Sequence, residues 1–146
     1  MEKQMKPELV FSKVDKELLL LSINRSSHIS EKRTDICPDT EYLQVCAKKM
    51  SKGDFFVPHK HNLLTRVTTK TQEGWIILEG KIKARFWDVD DTLIFETSLE
   101  RGDCAVVFHA GHSFEVLEEG TILYEIKTGP YYGVEKDKTY IKEEGE

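Results

Sequence analysis

The segment Val57-Pro58-His59-Lys60-His61 places two imidazoles at i and i+2, and Glu73 and His112 follow further along the chain. On an extended segment, residues two apart project to the same side. Imidazole is the commonest protein ligand for divalent transition metals, and a mixed set of imidazole and carboxylate suits iron, manganese, nickel and zinc. His59, His61, Glu73 and His112 together would leave positions open on an octahedral ion. Such a set can host substrate chemistry as well as hold structure. Plainer roles compete at each position. The two histidines could be a hydrogen-bonded pair in a metal-free pocket. Glu73 could accept hydrogen bonds from Arg66 or Gln72 at a strand entrance, and Gln72 could replace it only across a bulge. His109 competes with His112 through the Ala110-Gly111 loop, and His28 reads as a surface histidine of a polar segment.

The spacing adds to the inventory. Gly53 precedes His59 by six positions, Gly80 follows Glu73 by seven, and Gly102-Asp103 and Gly111-His112 come later. This resembles the two-part cupin signature over about residues 43–132. The runs Pro58-His59-Lys60-His61-Asn62, Gln72-Glu73-Gly74-Trp75, Gly111-His112-Ser113-Phe114-Glu115 and Tyr124-Glu125-Ile126-Lys127-Thr128-Gly129-Pro130-Tyr131 are similar to a group of small single-domain cupins. Members of that group often occur among bacterial genes for nucleotide-sugar and surface-polysaccharide synthesis. The chain departs from the usual pattern in the eleven residues between His61 and Glu73, in His109 where proline often stands, and in Val116 where asparagine often stands. The resemblance implies an all-β, cupin-type double-stranded β-helix, a jelly-roll barrel. It also implies a divalent transition metal, iron, manganese, nickel or zinc, held by His59, His61, Glu73 and His112 in the barrel mouth. The small-molecule ligand expected there is a sugar or sugar nucleotide. A metal-free isomerase or epimerase of the related type, and a ligand-binding module without turnover, are the alternatives.

Two further residues are candidates for holding a ligand. Arg66 lies in the long connection after the histidine pair, where a guanidinium could clamp a phosphate or carboxylate by a bidentate bond. Tyr124 lies near the end of the last clear strand, and alternation points it away from Glu125 and Lys127. Either set could line the cavity. Trp75, Phe86, Phe95 and Phe114 read as core aromatics. The chain has no glycine-rich phosphate loop, no GxSxG elbow and no CxxC pair, which argues against nucleotide hydrolysis, serine esterase chemistry and thiolate metal clusters.

The 146 residues suit one domain. A net charge of −5 argues against a nucleic-acid partner. The apolar run at 18–21 is too short for a membrane span or a signal-peptide core, so a cytoplasmic protein is expected. Cys37, Cys46 and Cys104 read as free thiols, the last two as small buried hydrophobes. The apolar 18–21 segment and the cupin resemblance together predict a homodimer.

The positioning elements are short. Ser12 could cap a helix over residues 13–21, with a strand over 17–23 as the competitor. From residue 41 the pattern is β: an imperfect alternation over 42–50, a proline-containing strand over 55–61, and strands over 74–78, 81–88, 92–99, 104–108, 114–117 and 121–127. Ile82, Ala84 and Phe86 alternate with Lys81, Lys83 and Arg85 and define an inner face. The expected organisation is an N-terminal arm or short helix over 1–40, a cupin barrel over 41–132 and a tail over 133–146. That tail is expected to pack through Tyr140 and Ile141 and to be loose from residue 142.

Overall fold

The computed structural model describes residues 6–142 of the chain. Ten strands follow in order: β1 Glu8–Phe11, β2 Leu19–Asn24, β3 Thr34–Asp35, β4 Cys46–Ala47, β5 Glu73–Glu79, β6 Lys81–Trp87, β7 Leu93–Glu100, β8 Cys104–Val107, β9 Gly111–Val116 and β10 Ile122–Lys127. One turn of helix, α1, spans Val134–Asp137. All strand pairs are antiparallel. A five-stranded sheet runs β1-β2-β8-β5-β10, a three-stranded sheet runs β7-β6-β9, and β3-β4 form a small ribbon. The architecture is all-β, and among the described residues no sheet closes into a barrel.

Alternation builds the core. Trp75 and Ile77 on β5, Ile82, Ala84 and Phe86 on β6, Leu99 on β7 and Ala105 on β8 meet between the two larger sheets. The opposite face of the five-stranded sheet is also covered: Cys104 and Val106 pack against Ile36, Cys37 and Leu43 from residues 34–47. A strand apolar on both faces needs cover on both sides, which explains the near-continuous hydrophobic run of β5. Burial pushes the Cys104 thiol up to about 12, with Cys37 and Asp103 adding to it, and the Cys37 thiol up to about 11. Both therefore act as packing groups, while Cys46 is half-buried.

The N-terminal expectation is corrected in part. Ser12 does cap a turn, since its hydroxyl accepts from the main-chain N–H of Val14 and of Asp15, both at 3.0 Å. The helix does not follow. Ser12 N–H instead reaches the carbonyl of Leu18 and closes a β1–β2 hairpin. The reason is burial: β2 is buried at every position, between β1 and β8, where a one-sided helix could not hide Leu19, Leu20 and Leu21 together. β1 and β2 are thus part of the main sheet.

Asp88 ties this hairpin to the end of β6. Its carboxylate accepts from Ser12 Oγ at 2.6 Å, Lys13 N at 2.7 Å and Val89 N at 2.8 Å. Burial would raise its pKa, but these bonds outweigh it and hold the carboxyl below its usual range. Asp88→Ala is expected to cost about 3 kcal/mol, the upper range for hydrogen bonds to a buried charge. A folded pKa below the unfolded value stabilises above the unfolded pKa of about 3.9, and the benefit is lost as pH falls through the folded value. Urea midpoints of wild type and variant should therefore differ near neutrality and converge in acid.

The second correction concerns residues 55–61. They form no strand, and residues 48–71 are almost wholly exposed. No main-chain group of residues 55–71 bonds to another main-chain group among the described residues. Strand geometry without a neighbour satisfies no ladder, and Pro58 has no N–H to offer.

Candidate functional site

Glu73 opens β5 next to the edge strand β10, paired with Lys127, and is 7% exposed. Its Oε1 accepts a hydrogen bond from Trp75 Nε1 at 2.8 Å and lies 3.4 Å from His112 Nε2. The spacing of two along β5 makes the tryptophan bond possible, because Glu73 and Trp75 share a face. His112 comes from β9, opposite Phe86 of β6, so it points toward the inner face of the three-stranded sheet. Its ring packs edge-on against Trp75 at 5.5 Å. On the other face of β9, a methyl at Gly111 would meet the end of the Ile141 side chain and crowd Trp87, so this glycine seats the C-terminal segment.

The hydrogen bonds set the protonation. His112 Nδ1 lies 3.2 Å from the carbonyl of Ala110, which takes the Nδ1 proton and directs Nε2 at Glu73. Burial would lower the His112 pKa, yet the bond to Glu73 and its charge raise it above the ordinary value. Burial would raise Glu73, but His112, Trp75 and Lys127 together bring it below its usual range. Both shifts describe one ion pair that favours positive charge at Nε2.

This pair lies in a cleft of about 640 Å³. Trp75, Phe114 and Glu125 contribute to its walls, and residues 137–141 cross it after α1. Lys127 Nζ lies 3.8 Å from Glu125 and 3.7 Å from Asp137, joining the edge strand to the C-terminal segment.

The predicted residues are brought together only in part. Glu73 and His112 meet. His59 and His61 meet each other, their rings 5.5 Å apart and edge-on, on the exposed segment. His59 Nδ1 sits 2.8 Å from the carbonyl of Val57, the same i−2 arrangement as at His112, and this leaves its Nε2 free. Among the described residues no three His, Cys, Asp or Glu side chains converge, so the two pairs are separate within one chain. His109 lies elsewhere: its main-chain N–H donates to Leu20, and burial lowers its pKa. Gln72 is structural, its amide oxygen accepting from Tyr42 N and Leu43 N and its amide nitrogen donating to Glu41. Arg66 is exposed beside the carbonyl of Leu64. Tyr124 is 62% exposed and absent from the cleft lining, which takes Glu125 from the other face of β10.

Sequence reasoning missed the cleft contribution of residues 137–141 and the bond from Trp75 to Glu73. The second was legible from the spacing of two. The first depended on how the chain turns after Gly133, whose φ of 101° sends it into α1. No helix among the described residues is long and apolar enough to cross a membrane. Comparison with family models, with curated proteins and with solved structures finds no match.

Proposed function

We propose that this chain is a cupin-type jelly roll that binds a divalent transition metal and handles a small molecule beside it. One observation carries the reading: a buried carboxylate and an imidazole converge at 3.4 Å on a cleft, with the imidazole's other nitrogen bonded to a carbonyl. Metal-ligating histidines characteristically donate their second N–H in this way, which fixes the tautomer and the ring. His59 carries the same bond. By type the donors suit a metal: Glu73 and His112 would hold it together with His59 and His61, which stand apart from them within one chain, and it would supply Lewis-acid chemistry or an activated water. Trp75 Nε1–H orients Glu73, and Phe114 packs edge-on against the Trp75 ring beside it. The proposed ligand is an anionic sugar derivative, with Arg66 as its clamp.

A second reading has its own observation. Glu73 and His112 form a carboxylate–imidazole pair in contact at 3.4 Å, the composition of a general acid–base centre for a metal-free isomerase. Metal analysis separates the two. Untagged protein is expected to retain a stoichiometric divalent metal, and Glu73→Ala and His112→Ala are each expected to weaken it by at least about 100-fold, the upper end of what even outer-sphere partners cost. A metal-free protein that turns over sugar nucleotides in the presence of a chelator would sink the metal reading. Stabilisation by a ligand with no product would instead mark a binding module.

A further inference from the structure

Residues 55–67 form an arm that touches its own body only lightly, through Lys48 over the Phe56 ring and the Tyr42 hydroxyl on the Val67 carbonyl. Phe55 is 81% exposed, Val57 73% and Leu63 103%, and Phe56, Leu64 and Val67 also face solvent. Six large apolar side chains on one bare segment constitute an interaction surface rather than scattered exposure. The body has a matching gap. β9 is paired on one side only and ends the three-stranded sheet. Its register sets His112, Phe114 and Val116 opposite Phe86, Ala84 and Ile82, which are buried, so these three face inward. Yet Phe114 remains 36% exposed and Val116 52%. An inner face left in solvent along an open edge is a strand position waiting to be filled.

We propose that two copies of this chain exchange the arm. Each lays residues 55–67 along the free β9 edge of the other, so that His59 and His61 of one copy join Glu73 and His112 of the second. The metal part of this inference rests on the function proposed above; the exchange itself does not.

Three features support this occupant. Period-two alternation puts Phe55, Val57, His59, His61 and Leu63 on one face, an apolar strip with the two imidazoles at its centre. That strip would continue the row of Phe114, Val116 and His112. Pairing through Val57, His59 and His61 turns Pro58 to the outer side, where its missing N–H costs nothing. The charges are complementary: residues 55–67 carry Lys60 and Arg66 and no acid, while β9 and the turn after it, residues 111–119, carry Glu115, Glu118 and Glu119 and no Lys or Arg. Donor and acceptor surfaces lie on the same chain, so the exchange is reciprocal and closes as a two-fold dimer.

Two measurements test it. The first needs no metal. Wild type is expected to sediment as a dimer at micromolar concentration, and Phe55→Asp with Val57→Asp and Leu63→Asp is expected to sediment as a folded monomer. A monomeric wild type, or a variant that remains dimeric, would overturn the exchange. The second mixes tagged chains: His59→Ala/His61→Ala co-expressed with Glu73→Gln/His112→Ala, the mixed dimer purified and titrated with Co(II). Exchange predicts one intact site in the mixed dimer and two in wild type. A mixed dimer that binds no cobalt while wild type binds two would place the ligands within one chain and overturn the proposal. An arm-dependent wild-type dimer that binds no cobalt would remove the metal reading and leave the exchange standing.

Discussion

Trp75→Ala is expected to destabilise the fold by about 3–5 kcal/mol, the range for deleting a large buried aromatic. The residue is 2% exposed. Its ring stacks on Phe86 at 6.0 Å and meets Phe114 and His112 edge-on at 5.1 and 5.5 Å. It therefore bridges the two sheets at the point where the cleft begins. Domains of this kind are stable by about 5–15 kcal/mol in total, so the loss is a large share of the whole. The damage has a chemical part as well, because Glu73 Oε1 loses the donor at 2.8 Å. Trp75→Phe separates the two effects. It keeps most of the packing and removes the N–H, so it should cost about 1–2 kcal/mol, near the scale of one hydrogen bond to a charged group. Urea denaturation of the three proteins measures this. A loss below about 1 kcal/mol for Trp75→Ala would mean that the sheets do not meet through this ring.

The strands from β5 onward were legible because burial and alternation agree there. Ile82, Ala84 and Phe86 are each fully buried and alternate with Lys81, Lys83 and Arg85. Gly80 was marked by its spacing alone, and its role is conformational: a φ of 78° turns β5 into β6 in a single residue, against Thr121, where a side chain has no room. The N-terminal segment was harder. Ser12 carries the same capping signal whether a helix or a tight turn follows, and only the pairing of β2 with both β1 and β8 decides between them. Long-range pairing of this kind is not encoded in any local window.

The site divides in the same way. Glu73 and His112 lie on strands of facing sheets, and the local pattern of each strand turns them toward one cleft. The His59–His61 pair was found by spacing, but its position relative to Glu73 depends on a ladder that residues 55–61 do not make within this chain. Alternation predicts which side chains share a face. It does not predict which edge, or whose, the strand joins.

That difference sets up the second large effect. His59→Ala with His61→Ala is expected to abolish metal binding and to leave the metal-free body as stable as wild type, within about 0.5 kcal/mol. Both imidazoles lie on an exposed segment, and neither belongs to either buried cluster. Their loss opens no cavity and leaves no buried partner unsatisfied. With metal present the comparison changes. A ligand at a hundred times its dissociation constant stabilises the folded state by about 2.7 kcal/mol, and only the wild type can draw on it. Melting curves with chelator should therefore coincide, and curves with added Co(II) should separate, the wild type moving up and the double variant staying put. Separation already in chelator would make the two histidines structural, and the open-site chemistry proposed for them would lose its basis.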